Sequence, residues 1–201
     1  METTLAPPVT LATQRPGALW RFSAAEYHRM AELGILGPDA RVELIDGYIH
    51  AMSPVNARHV LAVNRLEFLL ARQLYRSDTP PAFLSIQNPL RLDDHTEPEP
   101  DVMVVWSTTD QSRATRPEDV ALLVEVADST LRTDRAVKAP RYAAAGIVEF
   151  WIVNLEAQEV EVYLEPSTSG YRRKQTYDLG DTIPLQAFPE ITVEVRRILV
   201  A

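Results

Sequence analysis

Apolar positions along this chain follow two periods, and the switches between them mark the elements. Ser23 and Glu26 have the S-x-x-E spacing of a capping box, with Phe22 and Tyr27 at the staple positions, which predicts a helix start that Gly34 closes. From Arg41 to Met52 two apolar runs flank Asp46-Gly47, the dipeptide of a tight hairpin. That turn pairs Leu44 with Ile49 on one face and Glu43 with His50 on the other. Residues 56–76 return to helical spacing, with Val63, Leu66, Leu70 and Leu74 as an apolar stripe. Arg58, Arg65 and Arg72 recur every seven residues on another face, and His59, four before Val63, points toward the buried side.

Beyond Pro80-Pro81 the pattern predicts strands at Phe83–Leu92, Asp101–Trp106, Val120–Ala127 and Ile147–Val153. A short helix over 133–145, closed by Gly146, separates the last two. The run from Ala121 to Val126 is apolar except for Glu125, as expected of a strand covered on both faces. Val160–Leu164 alternates like a half-exposed strand and forms a hairpin with Tyr171–Tyr177 through the Ser167–Gly170 turn, and a last strand is expected near Ile191–Val195. The order predicts an α/β fold: a mixed β-sheet flanked by helices, with added N-terminal and C-terminal β-hairpins. Residues 1–19 hold four threonines, three prolines and no period, so a flexible arm is expected there, with one domain over 20–201.

Composition narrows the function classes. No apolar run reaches the ~18 residues of a membrane span, and the N-terminus lacks the pattern of a secretory signal. There is no cysteine, which removes disulfides, zinc–thiolate sites and iron–sulfur clusters and fits a cytoplasmic location. The net charge of −8 argues against coating nucleic acid by bulk electrostatics. It leaves room for an enzyme that grips phosphate locally. Phosphate-loop, dinucleotide-binding, nucleophile-elbow and H-E-x-x-H motifs are absent.

Charge in costly places is the remaining signal. Glu125 lies inside a central-strand pattern, where a carboxylate must be paired, hydrogen-bonded or bound to a metal. Asp101 opens a strand expected beside it. Two converging carboxylates repel unless a cation or proton intervenes, and an oxygen-only donor set suits Mg²⁺ or Mn²⁺. Taken singly, Glu125 is equally a salt-bridge partner and Asp101 a strand-start residue. Lys138, on the helix after the Glu125 strand, either leans back over that strand or lies on a solvated face. Arg135 and Arg141 flank it as possible phosphate contacts, with Arg58 and Arg65 as further ones. Pro140 either kinks the helix so as to aim Lys138 or breaks it early. A cross-strand pair with His50 accounts for Glu43, and a satisfied core histidine for His59. Glu149 reads as an edge or salt-bridge residue, and Tyr142, Phe150 and Trp151 as core aromatics.

With these residues in hand the chain resembles the Uma-two family of restriction-endonuclease-like proteins, in the PD-(D/E)xK nuclease superfamily. The resemblance rests on Glu43-Leu-Ile-Asp-Gly47, Met52-Ser-Pro54 with His59, Pro98-Glu-Pro-Asp-Val102 and Leu123-Val-Glu-Val-Ala-Asp-Ser129. Asp134, Lys138, Tyr142, Gly146 and Glu149-Phe-Trp-Ile-Val153 follow, and the whole spans roughly residues 20–165. It implies a restriction-endonuclease-like fold and metal-dependent hydrolysis of nucleic acid, DNA favoured. It implies Asp101 and Glu125 as catalytic metal ligands, Glu43 as a further metal-site acid, and His59 and Asp134 as accessory residues. It also implies a homodimer. The superfamily lysine two residues after the glutamate is here Ala127, and the resemblance passes its role to Lys138. A non-catalytic dimeric binding or regulatory module on the same scaffold is the alternative, and the acidic charge favours it.

Overall fold

The computed structural model describes residues 19–199, so the arm expected over 1–19 lies outside the described residues except for Leu19. Helix α1 (Ala24–Glu32) begins with the predicted capping box: Glu26 N donates to Ser23 Oγ at 3.2 Å and Ser23 N to Glu26 Oε2 at 2.7 Å. Strands β1 (Val42–Ile45) and β2 (Tyr48–Ala51) form the predicted hairpin, with Leu44 opposite Ile49 and Glu43 opposite His50. Its two turn residues, Asp46 and Gly47, both have positive φ, 53° and 81°, which this turn class requires. A Cβ at residue 47 would stand 2.7 Å from Arg21 Cβ, so only glycine fits between the hairpin and the chain entering α1.

A six-stranded mixed sheet is the centre of the fold, with helices on both faces. Its strands are β3 (Ala82–Ile86), β4 (Val102–Trp106), β5 (Val120–Ala127), β6 (Glu149–Asn154), β7 (Glu159–Ser167) and β8 (Gly170–Tyr177), in that spatial order. All neighbours are antiparallel except β5 and β6. That parallel pair needs a crossover, and the intervening helical segment supplies it. It comprises α3 (Leu131–Thr133), a π-helical stretch (Asp134–Lys138) and α4 (Ala139–Ala144).

Side-chain parity decides the two layers. Val102, Val104, Leu122, Val124 and Trp151 face α2 (Ala57–Leu74), whose Leu66 and Leu70 are fully buried among them. Each such leucine contributes about 1.5–3 kcal/mol. Met103, Val105, Leu123 and Phe150 face the crossover helix and pack on Tyr142. A two-stranded sheet of β9 (Thr182–Pro184) and β10 (Thr192–Glu194) leads into α5 (Val195–Leu199), which packs on α2. The strand expected near Ile191–Val195 is present; the helix after it has no signal in so short a segment.

Two expectations need correction. The strand expected to run to Leu92 stops at Ile86, because Gln87 takes a left-handed conformation (φ 49°) and turns the chain out of the sheet. Glu149 is not an edge or salt-bridge residue: it is 1% exposed in a central strand, accepting from Trp151 Nε1 and Gln186 N at 2.8 Å each. Burial pushes its carboxyl up to about 7, against those hydrogen bonds. A raised native value means stability that is complete below the ordinary glutamate range and lost as pH rises through 7. Unfolding free energy is expected to fall from pH 5 to pH 9, by roughly 3 kcal/mol from Glu149 alone. Urea midpoints at the two pH values check this, and equal midpoints would mean that Glu149 is ionised in the folded protein.

Candidate active site

The β4–β5 register builds the site. Val102 stands opposite Val124, and one further step in this antiparallel ladder sets Asp101 opposite Glu125. Both acids therefore start on one sheet face, the side of the crossover helix. Asp101 Oδ2 accepts from Val126 N at 2.7 Å, which pins that carboxylate to the neighbouring strand. Its Oδ1 lies 3.1 Å from His59 Nε2 and accepts from Gln87 Nε2 at 3.4 Å. His59 reaches it from the first turn of α2, where Asn56 caps the helix by accepting from His59 N at 3.0 Å. His59 Nδ1 is buried without a partner.

Glu125 is met from the helix. Lys138 Nζ donates to its Oε1 at 3.1 Å, and Tyr142 OH donates to the same oxygen at 2.7 Å. Lys138 and Tyr142 are four residues apart, one turn, so both fall on the face turned to β5. Lys138 Nζ also lies 3.1 Å from Glu43 Oε2, an ion-pair contact outside hydrogen-bond geometry that leaves this buried oxygen without a hydrogen bond. Glu43 is brought there by the hairpin. Leu44 and Glu97 exchange backbone hydrogen bonds at 3.3 and 2.7 Å, and Arg141 on α4 clamps Asp46 with two hydrogen bonds, one of them 3.0 Å. Asp134 completes the group, its Oδ2 accepting from Thr130 Oγ1 at 2.7 Å.

The pocket is short of positive charge. Glu43, Glu99, Asp101, Glu125, Asp128 and Asp134 line a cavity of about 130 Å³, with Lys138 and Arg41 as its cations. Burial, with the charges of Asp134 and Asp101, pushes the Glu125 carboxyl up to about 8 against the pull of Lys138 and the Tyr142 hydrogen bond. Burial likewise pushes Asp134 up to about 6 despite Lys138. Burial disfavours the Lys138 ammonium, but Glu125, Glu43 and Asp134 outweigh that and hold it protonated. Carboxyls driven toward neutrality are what a further cation would relieve. Among the described residues, no three His, Asp or Glu side chains form a ready-made metal cage. The carboxylates at the pocket are hard oxygen donors of the kind that hold Mg²⁺ together with water.

Of the expected site residues, Asp101, Glu125, Lys138, Glu43, His59 and Asp134 are gathered at this pocket. Arg135 and Arg141 are each engaged by a carboxylate. Arg135 holds buried Glu161 with two hydrogen bonds, 2.6 and 3.0 Å, and Arg141 holds Asp46. Glu43 turns to Lys138 although His50 is its cross-strand neighbour. Tyr142, expected only as a core aromatic, is also a hydrogen-bond donor to Glu125. Gln87 had no sequence signal, since its role follows from one left-handed backbone angle.

The family described as "Putative restriction endonuclease", Uma2, matches residues 24–196. The chain belongs to the Uma2 family. No curated protein matches it. Among solved structures, a "putative nuclease belonging to DUF820" from Anabaena variabilis superposes with a TM-score of 0.68 at 13% identity, over 88% of this chain and 97% of that one. At that identity the likeness speaks for the fold. The Uma2 match extends past the roughly 20–165 span of the sequence resemblance and takes in β9 and β10, so these are part of what the family shares. The chain is thus a nuclease-like Uma2 protein with a mixed sheet flanked by helices. Among the described residues, no helix is long and apolar enough to cross a membrane.

Proposed function

We propose that this Uma2 protein is a divalent-metal-dependent endonuclease that hydrolyses phosphodiester bonds of nucleic acid, DNA favoured over RNA. The observation that carries the reading is the convergence of Asp101 and Glu125 on one sheet face with the Lys138 ammonium 3.1 Å from Glu125. Asp101, Glu125 and the Val126 carbonyl would hold Mg²⁺ or Mn²⁺, with Glu43 as an outer acid. Such an ion supplies Lewis acidity and a bound water of lowered pKa. Tyr142 and Lys138 both engage Oε1 of Glu125, so Oε2 would be the oxygen available to an ion. Val126 N fixes the rotation of Asp101, and His59 holds the other oxygen. Lys138 orients the attacking water and offsets charge growing on the phosphate. Homodimerisation belongs to the same proposal, with sedimentation as its check.

Supercoiled, linear and single-stranded DNA incubated with Mn²⁺ test the reading, alongside calorimetric titration of the ion. Cleavage that EDTA abolishes is expected. Absence of both cleavage and divalent affinity would leave the chain a non-catalytic module on a nuclease scaffold.

A further inference from the structure

We propose that the outward face of α2 is a binding track for single-stranded nucleic acid that leads to the catalytic pocket; this rests on the nuclease reading. Arg58, Arg65 and Arg72 lie on one flank of the helix at steps of about 10 Å, since seven residues are nearly two full turns. Arg76 follows, exposed, just past the helix end. The helix has one acid, Glu67, and it lies on the other flank. In a chain of net charge −8 this stripe is an exception.

An aromatic platform sits beside it. Phe68 is 62% exposed, and the Arg72 guanidinium lies 6.0 Å from its ring centre. Phe68, Asn64, Arg65, Leu69 and Arg197 line a groove of about 240 Å³ between α2 and α5. A cationic groove with an exposed ring is how proteins hold single strands: arginines follow the phosphates and bases stack on the aromatic face. Duplex bases have no free faces to offer Phe68. A second copy docked by this face would set arginines against arginines. The track reaches the pocket at Arg58, whose Nη1 lies 3.4 Å from Asp128, a pocket-lining residue that Asn56 also holds.

The test is fluorescence anisotropy of a labelled oligodeoxythymidylate with the full chain in EDTA, across a salt series. Phe68→Ala is expected to weaken binding at least about fivefold, the loss of one stacked base, and Phe68→Trp to restore it. Arg72→Glu is expected to weaken binding and flatten its salt dependence. No binding by the unaltered chain, or binding by both Phe68→Ala and Arg72→Glu as tight as that of the unaltered chain, would overturn the proposal. So would a change in sedimentation without a change in affinity, which would make the face a protein interface. Hydrolysis of bis(4-nitrophenyl) phosphate with Mn²⁺ reports on the pocket separately. Hydrolysis without Phe68-dependent binding overturns the track alone, whereas Phe68-dependent binding without hydrolysis supports the track and sinks the nuclease reading.

Discussion

Lys138→Met should destabilise the fold by about 3–5 kcal/mol at neutral pH, the usual result of removing one partner from a buried charge cluster. Lys138 is 8% exposed and lies 3.1 Å from both Glu43 and Glu125. Methionine keeps most of its aliphatic stem, so the loss is of charge rather than volume. The sign with pH is fixed. Without the ammonium the surrounding carboxyls rise further above their unfolded values, and their stabilising protonation is complete only in acid. The deficit should therefore shrink from pH 7 to pH 5. Urea denaturation of both proteins at the two pH values measures it. A deficit below about 1 kcal/mol, or one that grows in acid, would mean that Lys138 is not the charge holding the acids together.

Asp101→Asn and Glu125→Gln should each lower metal-dependent cleavage at least about a hundredfold, the scale of removing one preorganised charge-stabilising group, while both stay folded. An asparagine oxygen can still accept from Val126 N, and a glutamine Oε1 from Lys138 and Tyr142. Glu125→Gln has a second signature. The native carboxyl is pushed up to about 8, so its contribution to stability is lost as pH rises through that value. The glutamine variant has no such loss and should gain on the unaltered chain between pH 7 and 9. Cleavage at the native rate in either variant would end the site assignment.

Much of this site is legible in the sequence. Glu125 announced itself as a charge in a run otherwise apolar, and the Asp46-Gly47 turn fixed the hairpin register that carries Glu43. The Val102–Val124 pairing that aligns Asp101 with Glu125 was legible as two adjacent strands, although its register was not. What stayed hidden depends on long-range geometry. The carboxylate partners of Arg135 and Arg141 are not legible in sequence because nothing local reveals Glu161, 26 residues on, or Asp46, 95 residues back. Gln87 reaches Asp101 through a backbone angle that no glycine marks. Glu149 looked peripheral because a strand-start acid resembles an edge residue until a distant segment, at Gln186, covers it.

The π-helical stretch before Pro140 has a consequence for how this site can change over time. Pro140 has no N–H to offer Ala136, and Ala139 N bonds five residues back, to Asp134 O. One residue more than an α-helical turn is thus stored between Asp134 and Tyr142. Excising it would rotate one end of the crossover against the other by about 100° and separate Asp134 from the Lys138–Tyr142 pair. Spacing here is a component of the chemistry, so transplanting the side chains onto an uninterrupted helix would carry over their identities without their convergence.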